Sequence, residues 1–198
     1  MKKFIWLGLA LVSVLVACNS YQLPAITIQN ELSVSDQQAF LALVNNKRQN
    51  AATANVNCLA GGANFPAKNF TVNSQALVLD TSLTKAGLAH INHMVRIYPN
   101  GFTQPGNPDA LAFDPHNKAG DGTPVDRATA TGFSGSGWGE VMAFDFASSS
   151  DVLSKWLTSS FGHCQVVMDN DFNRAGFAKV TVPNSSKTYW IMAVGRNP

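Results

Sequence analysis

The sequence predicts a three-layer α/β domain, with helices on both faces of a central sheet. Three observations carry this reading. Near the C-terminus, Arg174 to Val182 and Lys187 to Gly195 are strand-like runs separated by the turn signal Pro183-Asn184-Ser185-Ser186, a hairpin. The second run is apolar on both faces, Tyr189, Ile191 and Ala193 on one and Trp190, Met192 and Val194 on the other. A strand of that kind is central and covered on both sides. Upstream, helical runs carry apolar stripes, one of them with small residues that permit close packing against a sheet. At 198 residues, 45% hydrophobic and 13% charged, the chain can bury one sizeable core and lacks the charge balance of a disordered segment.

The first element is a targeting segment and not part of the fold. Lys2-Lys3 precede an apolar run from Phe4 to Ala17, too short for a comfortable membrane span. The run ends Leu15-Val16-Ala17-Cys18-Asn19, which resembles the lipobox of bacterial lipoproteins. That resemblance implies cleavage before Cys18 and lipid attachment to it; the alternative is an ordinary signal peptide with Cys18 incidental. Residues 1–17 then form the signal peptide, 18–34 the lipidated cysteine and a tether containing Pro24, and 35–198 the folded domain.

Within the domain, Ser33-Val34-Ser35-Asp36 signals a helix start, and Gln37 to Ala52 follows with Phe40, Leu43, Val44 and Lys47 at helical spacing. Asn55 to Asn73 is a Gly/Asn/Pro loop holding Cys58. Asp80 or Thr81 caps a helix to about Arg96, with Leu83, Ala86, Gly87, His90 and Met94 along one stripe. Tyr98 to Gly122 is too long for an idle connection and reads as a functional surface loop around His116. Thr123 caps a short helix with Pro124 at its first position, and Gly132 ends it. Trp138 to Phe144 is a turn entering a buried strand or an irregular helical turn. Ser149-Ser150-Asp151 caps a helix burying Val152, Leu153, Trp156 and Leu157, after which Gly162-His163-Cys164 ends the helical run and presents a histidine.

The formal charge of +2 comes from Lys2 and Lys3; without them, basic and acidic residues balance. No basic surplus exists to neutralise phosphates, so nucleic acid is not an expected partner. If lipid takes Cys18, then Cys58 and Cys164 remain as an even pair in an oxidising compartment, to be bridged or left as buried thiols; export favours the bridge.

Four histidines can carry chemistry. His90 and His93 lie one turn apart, the first expected as a packed core histidine and the second at the surface. His116 and His163 each lie where a loop meets an element, and Glu140 follows Gly139 between two flexible stretches. Two imidazoles and a carboxylate from distant segments can form a metal site or an acid/base cluster. Trp138, Trp156 and Trp190 read as core, and Arg127 as a tie between the His116 loop and the domain.

From about Phe40 to Val194 the chain resembles the CAP superfamily, the SCP-like or pathogenesis-related-1-like domain, in its bacterial form. The resemblance rests on Leu43 to Arg48; on Leu83, His90 and Met94; on Phe113, His116, Gly122, Arg127 and Gly132; on Gly139-Glu140; on Trp156, Gly162-His163-Cys164, Met168, Phe172 and Gly176; and on Tyr189-Trp190. It implies an α-β-α sandwich with a mainly antiparallel sheet and an open cleft lined by His116, Glu140 and His163. Ser159, where many eukaryotic relatives carry a second glutamate, is expected beside that cleft, and Val141 replaces the usual asparagine after Gly-Glu. The resemblance also implies a Cys58–Cys164 pair, and a cleft where some relatives hold a divalent metal.

The expected function is a non-catalytic ligand-binding or interaction module, held at a membrane by its lipid, with a lipid, sterol or protein as partner. Its expected place is the bacterial cell envelope, the outer membrane where a cell has two. The alternative is a metal-dependent, peptidase-like hydrolase in which His116 and His163 hold zinc and Glu140 activates water, with Ser159 nearby. A purely structural envelope role stands between the two.

Overall fold

The computed structural model describes residues 28–61, 64–101 and 114–197. The signal peptide, Cys18, most of the tether, Phe113 and much of the loop before His116 lie outside the described residues.

The first helix, α1 (Val34–Gln49), starts at a capping box in which Ser33 and Asp36 satisfy each other's backbone N–H groups. A short α2 (Ala51–Ala54) and a two-stranded ribbon, β1 (Asn57–Cys58) with β2 (Lys68–Asn69), follow. Next come β3 (Val78–Leu79) and α3 (Thr81–Ile97), whose N-cap Asp80 accepts the N–H groups of Ser82 and Leu83. A second capping box, Thr123 with Asp126, opens α4 (Pro124–Ala130). The rest is β4 (Ser136–Phe144), α5 (Ser149–Leu157), α6 (His163–Met168), β5 (Arg174–Thr181) and β6 (Thr188–Arg196). Trp138 to Phe144 is thus strand, and the cap of α5 is Ser148, one residue before the predicted signal.

The main sheet has the order β3-β5-β6-β4, antiparallel except where β3 meets β5. Its two faces match the alternation on β6. Trp190, Met192 and Val194 pack with Phe40, Trp156 and Phe177 under α1, α5 and α6. Tyr189 and Ile191 pack with Ile91 and Met94 of α3. Gly176 lets α3 approach the sheet closely, since a Cβ there would lie 2.0 Å from the Thr84 nitrogen.

Two expectations need correction. The buried face of α1 is Gln37, Phe40, Val44 and Arg48, whereas Leu43 is exposed and so is Lys47. The Arg48 guanidinium donates to the carbonyls of Gln75, Val167 and Phe172, so a buried cation takes the place that the apolar stripe assigned to its neighbours. The tether also does not run free to residue 34. Asn30 donates to Phe177 O and accepts from Lys179 N–H, Glu31 N–H reaches Lys179 O, and the Glu31 carboxylate accepts from Thr181 N–H. These contacts cover the part of the β5 edge that the short β3 leaves open.

Candidate functional site

The site begins with Glu140 on β4, whose side chain is buried against α3 and α4. A lone buried carboxylate would be strongly disfavoured. Here Arg127 of α4 donates through Nη2 to both oxygens, at 3.0 and 2.9 Å. The same nitrogen reaches the His116 carbonyl at 3.0 Å, so Arg127 does tie the His116 loop to the domain. Asp114 shapes that loop by accepting the backbone N–H groups of His116 and Asn117. His116 then sets Nδ1 2.7 Å from Glu140 Oε1.

Burial would raise the pKa of Glu140, but the His116 hydrogen bond and the charges of His90, His116 and Arg127 outweigh it and hold the carboxyl below its ordinary value. An ionised carboxylate only accepts, so His116 Nδ1 donates to it, and in the neutral tautomer that this bond selects the lone pair is on Nε2.

His90 completes the arrangement from α3. Fully buried, it sets Nδ1 2.7 Å from Asp121 Oδ2 and Nε2 3.4 Å from Glu140 Oε1, the second contact lacking hydrogen-bond geometry. Arg127 Nη1 lies 3.3 Å from Asp121 Oδ1. Two acids therefore alternate with two bases around a closed ring: Asp121, His90, Glu140, Arg127. Sequence reading placed His90 in the core but missed its partners, and it missed Asp121 altogether. The signal that could have found them is the buried position of His90 on the α3 stripe, since a buried polar group requires a partner. His93 is half-buried and donates from Nε2 to the Ala119 carbonyl, apart from the ring.

Above the ring lies a cleft of about 1430 Å³. Its polar floor is His116, Glu140 and His163, and its walls include Phe65, Phe70, Trp138, Val166 and Phe172. Trp138, expected in the core, is a half-buried wall residue. The His116 and His163 rings stand edge to face with centroids 6.3 Å apart. Gly162, at φ 86°, starts α6 and turns His163 into the cleft; a Cβ there would strike the Phe65 ring at 2.5 Å. The disulfide Cys58–Cys164 fastens this wall to β1. Gln165 adds hydrogen bonds to the carbonyls of Leu59 and Pro66. Ser159 is placed elsewhere. It is buried, its Oγ accepts the Phe161 N–H, and it does not line the cleft.

Desolvation lowers the His163 pKa to about 4, with the charges of His116 and Lys155 acting in the same direction. The unfolded chain therefore takes up this proton first as pH falls. Stability from this group is complete above about pH 6.5 and is lost between there and about pH 4. We expect His163→Gln to flatten the pH dependence of stability in that window by about 2 kcal/mol, as read from urea midpoints at pH 7 and pH 4.5. An unchanged slope would contradict the assignment.

One arrangement of donors fits a metal poorly. His90, His116 and Glu140 bring ligand atoms within 4.8 Å of one another, but the Arg127 guanidinium already holds both Glu140 oxygens. A dication there would face a buried cation at contact distance. On the cleft side, His116 Nε2 and the His163 ring offer nitrogen donors, and Asp114 and Asp169 also line the cleft.

The chain matches the cysteine-rich secretory protein family, CAP, over residues 41–194. No curated protein matches it. Among solved structures, it is similar to an outer surface protein from Borrelia burgdorferi, with 13% identity, a TM-score of 0.55, and coverage of 86% of this chain and 99% of that one. It is also similar to an extracellular protein containing an SCP domain from Bacillus anthracis, with 16% identity and a TM-score of 0.53. That likeness covers 82% of this chain and 41% of the other. At such identities the two structures support the fold alone, and the match over residues 41–194 supplies the rest: this chain belongs to the CAP family of cysteine-rich secretory proteins.

Proposed function

We propose that this protein is an exported binding module, anchored through lipid on Cys18 in a bacterial cell envelope, whose cleft takes a ligand with an apolar body such as a lipid, a sterol or an apolar protein segment. The observation that carries the reading is the cleft itself: aromatic and aliphatic walls over a small polar floor, the usual make-up of a ligand site. The extracellular and outer-surface character of the two similar proteins favours export. An outer-membrane location, where a cell has two membranes, completes the proposal, with the domain taking in residues 28–32 against β5.

A hydrolase reading needs Glu140 as a free base, and both its oxygens are engaged by Arg127. Zinc held by His116 Nε2 and His163 would supply Lewis acidity at the cleft floor. Glu140 would then act from behind, fixing the His116 tautomer through Nδ1.

The test is displacement of an environment-sensitive apolar dye by phospholipid, sterol and fatty acid from the full chain, with zinc and after chelation. Val166→Arg places a charge in the apolar wall and is expected to weaken dye binding roughly tenfold or more, measured on protein shown by its melting curve to be folded at the assay temperature. Equal binding with and without zinc supports a binding module. Dye binding that ignores Val166→Arg would overturn the cleft as its seat.

A further inference from the structure

The sheet order makes β4 an edge strand, and the cleft runs along its open side. Which of its backbone groups face that side follows from two bonds. Asp145 N–H donates to Thr188 O at the end of β6, so odd-numbered residues pair across to β6. The indole Nε1 of Trp156 donates to Met142 O at 3.0 Å, so the even-numbered residues point away from β6. In an antiparallel pair the N–H and C=O of one residue point the same way, and successive residues alternate. The register is continuous from Trp138 opposite Gly195 to Phe144 opposite Tyr189, with the irregularity confined to Ser136–Trp138. Trp138 and Glu140 therefore turn N–H and C=O outward, and no backbone group among the described residues pairs with either. Beyond Met142 the edge is closed by Trp156. The open stretch lies where Trp138, Gly139, Glu140 and His163 line the cleft.

We propose that the open edge of β4 at Trp138 and Glu140 pairs with an extended polypeptide segment lying in the cleft. A segment of two to three residues spans the roughly 7 Å between the two outward-facing positions. It meets alternating donors and acceptors that a lipid or sterol cannot satisfy together. Side chains of the segment would alternate between the His116 side and the Phe172 side of the edge. The proposal rests on the cleft being a binding site and names its ligand class.

The test uses the full chain in mild detergent against an immobilised library of capped pentapeptides, with the best binder resynthesised. Backbone hydrogen exchange is then followed with and without it. The amides of Trp138 and Glu140 are expected to exchange fast in the free protein and to become protected by the peptide. The amides of Gly139 and Val141, already paired to β6, should not change. N-methylation of the peptide at alternate positions should weaken binding about tenfold or more, and at the intervening positions hardly at all. Trp138→Pro removes the outward N–H but no bond to β6, and should lose markedly more affinity than Trp138→Ala, which keeps it. No binder in the library, a binder insensitive to N-methylation, or one that leaves the Trp138 and Glu140 amides unprotected would overturn the proposal. If Val166→Arg still abolishes dye binding in that case, the cleft remains a ligand site and only the peptide assignment fails.

Discussion

Replacing Arg127 by Met is expected to lower stability by about 3–5 kcal/mol, the cost of breaking a buried ion pair from one side. The guanidinium is buried and holds both Glu140 oxygens, an Asp121 oxygen and the carbonyls of His116 and Gly122. Its loss strands two carboxylates whose pKa values now lie below the ordinary range, because burial is outweighed there by their basic neighbours. For a domain of this size the loss corresponds to a melting temperature lower by roughly 6–20 °C. The double variant Arg127→Met with Glu140→Gln removes one stranded charge and is expected to be less damaged than the sum of the single variants. The difference, measured as a double-mutant cycle, is the coupling energy of the pair. A fall of less than about 2 °C in the single variant would mean that water reaches the ring and that the arrangement contributes little.

Removing the disulfide is expected to cost about 2–5 kcal/mol. Cys58 and Cys164 are 106 residues apart, so the bridge closes a long loop and withdraws much freedom from the unfolded chain. Both cysteines are buried, and the bridge joins β1 to the start of α6, next to His163. Cys58→Ser with Cys164→Ser should therefore shift the guanidinium midpoint of the oxidised protein down to that of the reduced wild type. The cleft should respond as well, because Phe65 and His163 sit on the two segments that the bridge joins. Dye affinity is expected to fall with the midpoint. An unchanged midpoint would show that the close contact of Gly61 with the Phe161–Gly162 backbone and the Gln165 hydrogen bonds suffice to hold this wall.

Much of the architecture was legible because it depends on short-range chemistry. Helix starts at Ser33, Asp80 and Thr123 are local hydrogen bonds between residues two or three apart. The alternation on Thr188–Arg196 reports burial on two sides whatever covers them. The family resemblance added His116, Glu140 and His163 as cleft residues, and all three line one cavity.

The order of residues alone thus carried the layered fold and its caps, and the family resemblance pointed to Cys58 with Cys164 and to the three residues that line one cavity. How those residues are employed was settled by the packing of distant segments. Packing closed the ring of Asp121, His90, Glu140 and Arg127, turned Ser159 out of the site and brought Trp138 into the wall. It laid residues 28–32 along β5 and left β4 as the open edge beside the cleft. Periodicity and capping fix which face of an element is buried. The partner that a buried polar side chain meets depends on the docking of elements far apart in the chain, here α3, α4 and β4, and no local pattern encodes it.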